Sequence, residues 1–485
     1  MLPHSVLPPG AGASARRGGL IAATLASFLT PFMGASINIA LPSIGREFSL
    51  DAVALGWVAT SYILAAAVFL LPFGRLADIL GRKKIFIAGL ASFTVTSLLV
   101  ALVQNGTELL IAWVAQGVAG ALLFGTGMAI LTSIFPPSER GRVLGLNAAA
   151  VYIGLSLGPT VGGVVTDAFG WRGIFLLNAA LAFFALVVVI TQLKTEFQEC
   201  KGEAFDMKGA IVYGLALCAL MLGFSELPDT IGFVLLAIGA AGLTAFVYLE
   251  SRIQFPLLAV KIFRHNTVFA MSNAASLINY AATFATGFLL SLYLQFVKGF
   301  SPTDAGLILV AQPIVMALVS PFAGRSADRI GARFLASMGM AISAAGLVMF
   351  IFIGNNTSMV YVIGALIVLG VGFGLFSSPN TSAVMGSVER RQYGVASATL
   401  GTSRLVGQML SLGIAMLLFS VIIGHVRISA AVHDELVSSL RVAFAIFTGL
   451  CVIGVFASLA RGNATPHPTP PLLTEVSGSK PDVRS

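Results

Sequence analysis

The chain has 485 residues, 57% hydrophobic and only 10% charged, with a mean hydropathy of +0.94. Soluble domains carry about 25% charged residues, so this surface excludes a water-soluble enzyme, and the apolar content excludes a disordered or fibrous chain. What remains is a polytopic membrane protein, whose net charge of +8 belongs to loops rich in Lys and Arg rather than to a nucleic-acid interface.

Residues 1–19 read as a cytoplasmic tail. Arg16-Arg17 precede an apolar run, as in a secretory or twin-arginine signal, but the run from Leu20 to Leu41 is longer than a signal core and is read as a retained span. A bilayer crossing takes about 20 apolar residues. Apolar segments fall at about 20–41, 54–73, 85–104, 108–134, 143–166, 173–192, 208–226, 230–249, 267–296, 304–323, 333–353, 359–378, 394–423 and 441–460. These are spans 1 to 14. Backbone groups in lipid must bond within their own segment, so the spans are helices; a barrel would show short alternating stretches.

Basic residues set the orientation. Arg75, Arg82, Lys83, Lys84, Arg140, Arg142, Lys194, Lys201, Lys208, Arg252, Lys261, Arg264, Arg325, Arg329, Arg333, Arg390 and Arg391 all fall on one side, with the tails. The other side holds only Arg46, Arg172, Lys298, Arg427 and Arg441. The positive-inside rule then places both termini in the cytoplasm.

The chain repeats. Gly74-Arg-Leu-Ala-Asp78-Ile-Leu-Gly81-Arg82 follows span 2, and Gly324-Arg-Ser-Ala-Asp328-Arg-Ile-Gly331 follows span 10. Two six-helix halves, 20–192 and 267–460, put each copy after the second helix of its half; 193–266 is then a linker with two inserted spans. The polar tail 461–485, rich in Pro, Ser and Thr, is expected to be disordered. Glycines in each copy permit a tight turn between spans. Asp78 is suited to accept hydrogen bonds from a helix N-terminus. In span 5, Gly154, Gly158 and Gly162 share one helix face and permit close contact, while Pro159 loosens the ladder beside Gly163.

These motifs carry a resemblance. The Gly74–Arg82 segment with Lys83-Lys84 resembles the loop motif of the major facilitator superfamily, and its second copy begins at Gly324. The resemblance makes Gly74, Asp78, Gly81, Arg82, Gly324, Asp328 and Gly331 a conformational switch, with Asp78 as a cytoplasmic latch. Gly158-Pro159 with Gly162-Gly163 resembles the helix motif of that superfamily's antiporters and exporters. Trp57–Leu64, Gly170–Phe175, Tyr293-Leu294-Gln295, Pro256-Leu257-Leu258 and Ala396-Ser397-Ala398 with Arg404 extend the similarity to about residues 20–460. Together they resemble the fourteen-helix drug:proton antiporter family. Two positions depart from it. Met33 stands where the family usually has an Asp in span 1, and Trp113 where it has an Arg in span 4. No carboxylate falls at membrane depth, since Glu108, Asp167, Glu226 and Glu250 all read as solvated span ends. Both the proton carrier and the acid suited to a cationic drug are therefore missing from their usual place.

Arg404 remains, about ten residues into span 13, as a counter-charge for an anionic or carbonyl-bearing group or as a hydrogen-bond hub. Asn38, Tyr62, Gln116, Tyr152, Asn279, Tyr280, Gln312, Asn380 and Gln408 are the other candidate substrate-binding residues. Each polar group must be paired or face a cavity. No phosphate-binding loop and no nucleophile or metal constellation is evident, and His425 with His433 reads as a solvated loop. The sequence thus implies an all-α membrane transporter of the major facilitator fold: a monomer in the cell membrane, without cofactor, metal or enzymatic activity, in contact with lipids, protons and a small-molecule substrate. Export of small amphipathic or hydrophobic compounds is the first expectation. An uptake permease or uniporter for a neutral or anionic solute and a non-transporting receptor are the rivals.

Overall fold

The computed structural model describes residues 13–135, 137–193, 195–198, 200–389 and 392–462. The expected disordered tail lies largely outside the described residues. Helices dominate the described residues, and fourteen are long and apolar enough to cross a membrane. They are Arg16–Phe48, Ala52–Leu80, Arg82–Leu102, Gly106–Ile134, Gly145–Phe169, Arg172–Gln192, Met207–Glu226, Thr230–Glu250, Thr267–Val297, Pro302–Ala327, Ala332–Ile351, Met359–Gly386, Tyr393–Ile423 and Ala430–Ala460. The chain is an integral, multi-pass membrane protein. Span 1 starts earlier than hydropathy indicated, because its helix runs from Ala13 through both arginines.

The two halves repeat in packing as well as in sequence. Span 1 lies on spans 5 and 6, span 2 on span 4, and span 3 on spans 4 and 6. Span 9 lies on 13 and 14, span 10 on 12, and span 11 on 12 and 14, the same pairs shifted by eight spans. Across the halves, span 5 meets span 10 and span 13 meets span 2. These two contacts are also equivalents of one another. Spans 7 and 8 form a hairpin whose first helix rests where spans 2 and 13 meet; Tyr213 donates its hydroxyl to the Ala67 carbonyl at 3.1 Å. The apolar side chains left exposed, such as Leu99, Phe183, Phe334 and Phe456, suit a lipid surround, where an outward Leu or Phe costs nothing.

The repeat extends to backbone conformation. Spans 2 and 10 end at Gly81 and Gly331, whose φ values are +119° and +97°. A side chain is strained there. Each glycine N–H closes the preceding helix, Gly81 on Ala77 at 2.9 Å and Gly331 on Ala327 at 3.0 Å. One expectation is corrected. Gly74 and Gly324 do not make the turn, since both lie inside helices. Close approach explains Gly324, where a Cβ would meet Ser378 Oγ at 2.7 Å; at Gly74 a Cβ would meet nothing within 4 Å, and the tight position there is Gly125 of span 4, whose Cβ would stand 3.3 Å from the Gly74 Cα.

Candidate functional site

Four helices bring a polar and aromatic cluster to mid-depth. Arg404 lies eleven residues into span 13, about 16 Å along a helix that rises 1.5 Å per residue. It is half-buried, and its Nη2 donates to Thr381 Oγ1 of span 12 at 2.7 Å. Its guanidinium carbon stands 5.8 Å from the centre of the Tyr280 ring of span 9. Tyr280 in turn meets Phe373 of span 12 edge-on at 5.2 Å, with Ser377 of span 12 beside it and Tyr152 of span 5, in the other half, within electrostatic range. Arg404 Nε is buried and has no acceptor among the described residues. Leaving such a donor unmet costs about 1–3 kcal/mol. Gln408, one turn further along span 13, is half-buried on the same helix face.

The other candidates are dispersed. Asn38 is half-buried where span 1 meets span 9, and its amide approaches Gly287. Gln312 is half-buried at the start of the helix Ala311–Ile330, its carbonyl against Gly370. Tyr62 and Gln116 lie inside the first half. Tyr62 stacks on Trp113 at 4.8 Å, and Gln116 donates to Ser97 Oγ at 2.8 Å. Asn279 is fully buried, with both amide atoms unpaired among the described residues. Asn380 belongs to a network at the end of the second half. It donates to the Ser272 carbonyl at 3.1 Å and accepts from Arg461 Nη1 at 3.2 Å. Arg461 is 2% exposed, and burial, with a smaller effect of Arg333, brings its pKa down to about 10.

The two departures are accommodated without charge. Met33 is fully buried in the apolar core. Trp113 donates its indole N–H to the Val58 carbonyl at 2.8 Å, bracing span 4 against span 2 at the position where the resemblance led us to expect an arginine. Among the described residues no Asp or Glu occupies the middle of a span. Glu250 nonetheless corrects an expectation. It is 2% exposed rather than solvated, because its Oε2 accepts the Leu258 N–H at 2.9 Å and closes the chain over span 8.

The helix ends fall into two groups: a basic end, with Arg75, Arg82, Lys83 and Lys84, and a far end, with Phe48, Trp171 and Pro302. Hydrogen bonds between the halves gather toward the far end. Ser291 Oγ donates to the Asn38 carbonyl at 2.6 Å and Gln295 Nε2 to that of Ile39 at 2.9 Å. The Thr303 N–H donates to Asp167 Oδ2 at 2.9 Å, a carboxylate of span 5 on the first turn of span 10. The Ala52 N–H donates to the Val426 carbonyl at 3.1 Å. Beneath them spans 5 and 10 meet backbone to backbone: a Cβ on Gly306 would lie 2.2 Å from the Pro159 oxygen, and one on Gly163 would lie 2.5 Å from that of Pro302. Span 5 therefore has two faces. Gly154, Gly158 and Gly162 fit against Phe28, Ala35 and Ser36 of span 1, within one half. Pro159 and Gly163 carry the contact across halves. The inter-half roles of Asp167, Ser291 and Gln295 escaped the sequence reading, because nothing local marks a partner more than a hundred residues away; Thr381, the partner of Arg404, was not singled out either.

At the basic end, Asp78 bonds Arg82 Nε at 2.9 Å, and Arg82, 4% exposed, also donates to Ser133 Oγ of span 4 at 2.7 Å. The side chain of Asp328 lies outside the described residues. The linker after span 6 straps over the first switch loop. Glu196 Oε1 accepts the Lys83 N–H at 2.8 Å, the Phe197 carbonyl accepts the Arg82 N–H at 2.9 Å, Gln198 bonds the Leu80 carbonyl, and Glu203 pairs with Arg75. Glu196 thus caps span 3, whose preceding residue is a glycine without a side chain to do so. Glu196→Ala is expected to cost about 1 kcal/mol, the usual value of a lost N-terminal cap, read as a lower thermal midpoint of the purified protein; an unchanged midpoint would refute the capping role.

Comparison with known proteins agrees with this architecture. The sequence pattern described as Major Facilitator Superfamily matches residues 23–412 and 273–481. The chain is 29% identical over 388 residues to the riboflavin transporter RibZ of Clostridioides difficile, covering 79% of this chain and 84% of that protein. It is 32% identical over 412 residues to the cephamycin export protein CmcT of Amycolatopsis lactamdurans, covering 82% and 84%. Among solved structures, a bacterial homologue of the human lysosomal transporter Spinster superposes with a TM-score of 0.68 at 15% identity, over 93% of this chain and 98% of that one.

Proposed function

The chain belongs to the Major Facilitator Superfamily, and from that premise we propose that it is a secondary active exporter of small amphipathic compounds, working by alternating access. One observation carries the reading. The polar and aromatic cluster around Arg404 lies at mid-depth between halves whose hydrogen bonds concentrate toward one end. A solute held there exchanges with one side while the far end stays shut, and rocking the halves about the site exposes it to the other. The basic end faces the cytoplasm on charge grounds, which puts both termini inside and makes the described conformation inward-facing. Export is supported by the Gly158-Pro159 helix and by a relative named for export.

Proton coupling is the family's drive, and we assign it to this chain through a group other than residue 33. Met33 and Trp113 favour a second reading, a uniporter for a neutral or anionic solute, since neither binds a proton. Proteoliposomes with an imposed pH gradient separate the two. Antiport predicts solute movement driven by the gradient, with counterflow of protons. Movement down the solute's own gradient without response to pH would overturn the coupling, and no flux of any amphiphile, whether cationic, neutral or anionic, would favour a receptor.

A further inference from the structure

Among the described residues, Arg404 is a cation at mid-depth without an anionic partner. Its described partner is a neutral hydroxyl, Thr381 Oγ1, and its Nε is buried and unmet. The acidic side chains among the described residues lie at span ends, where Asp51, Asp78, Asp167, Glu250 and Asp304 cap helices or bond loops. A guanidinium so placed carries a desolvation cost that a permanent partner does not offset. Arg75, whose Nε is also unmet, has the carboxylate of Glu203, and two further arginines are fully served. Arg461 donates from Nε and both terminal nitrogens to Ser272, Asn380 and Ser458, and Arg82 has Asp78 and Ser133. Arg404 keeps donors in hand beside the Tyr280 ring, which Phe373 meets edge-on.

We propose that this site takes an organic anion, a carboxylate or similar oxyanion attached to a flat ring system, with Arg404 as its counter-ion and Tyr280 and Phe373 against its rings. The inference rests on the proposed function, with this cluster on the solute path, and it narrows the substrate class within that reading. An anionic oxygen fills the vacant donor geometry of the guanidinium, and a planar ring system uses aromatic faces that a hydrated inorganic ion would leave unused.

The test uses the full chain in lipid nanodiscs and three probes sharing one ring system: 1-pyrenebutyrate, 1-pyrenebutanol and 1-pyrenebutylammonium. Fluorescence titration should find the butyrate bound at least about tenfold more tightly than the ammonium. Arg404→Gln should weaken the butyrate by about tenfold to a hundredfold, the size of a charged hydrogen bond, and hardly change the butanol. Arg404→Lys, which keeps the charge, should fall between. Equal or tighter binding of the ammonium probe overturns the proposal on the wild type alone, whatever the variants do. So does unchanged butyrate affinity in a folded Arg404→Gln protein. Flux of the same probes in proteoliposomes keeps the two readings apart. Selective butyrate binding without flux would sink the transport reading and leave the anion site standing, whereas flux of the ammonium without butyrate binding would do the reverse.

Discussion

Gly306→Ala is expected to cripple transport while leaving the protein folded. The added Cβ would lie 2.2 Å from the Pro159 oxygen and 2.8 Å from its carbonyl carbon, both backbone atoms that cannot rotate aside. Spans 5 and 10 must separate, and overpacking of this kind costs about 1–3 kcal/mol. The cost falls only on the conformation in which the far end is shut. By the usual conversion of about 1.4 kcal/mol per factor of ten, the balance between conformations shifts by about tenfold to a hundredfold. Spin labels at the exposed far-end positions Phe169 and Phe352, in a protein lacking its native cysteines, should report a longer mean distance. Gly163→Ala, facing the Pro302 oxygen at 2.5 Å, should act alike. Gly154→Ala is the control. Its Cβ would meet the Phe28 oxygen at 2.6 Å, inside one half, so it should lower the thermal midpoint without changing the distance. A Gly306→Ala protein with wild-type flux and distances would refute the two-faced reading of span 5.

Asp78→Ala is expected to be the most destabilising change at the basic end. It leaves Arg82, 4% exposed, without the carboxylate that meets its Nε at 2.9 Å. Removing one member of a buried pair costs about 3–5 kcal/mol; the partial exposure of Asp78 and the bond that Arg82 keeps to Ser133 put the expectation near the lower bound. Replacing both residues, Asp78→Ala with Arg82→Met, removes the buried charge together with its partner and should recover much of that loss. If the double variant regains stability but not transport, the pair acts in the conformational cycle as well as in holding the fold. If Asp78→Ala is as stable as the parent, the pair contributes little, and the linker strap over Gly81 holds the loop instead.

The legible and the hidden parts of the site divide along a physical line. Arg404 stood out in the sequence because any ionised group within an apolar span is expensive and must have a reason. Tyr280 was singled out with it and lies against its guanidinium. Tyr62, Gln116 and Asn380 carried the same polar signature and are placed elsewhere, stacked on Trp113, bonded to Ser97 and bonded to Arg461. A polar side chain in a span satisfies its hydrogen bonds equally well inside a half or between halves, so residue type does not decide between them. Glu250 read as solvated because it ends a span, and only the fold of Leu257 and Leu258 back over it shows that it is enclosed.

What the sequence determined by itself is the membrane class, the fourteen spans and the internal repeat. Each span must satisfy its backbone within itself, so its existence is written in local composition, and the strained glycines Gly81 and Gly331 mark the same turn in both halves. Only the tertiary structure decided which helix faces meet. Between lipid-bathed helices there is no contrast of hydropathy to drive pairing, and contact depends on shape and on a few hydrogen bonds. The seam of spans 5 and 10, the Asp167 cap on Thr303 and the vacant donor of Arg404 are therefore properties of surfaces brought together from distant parts of the chain.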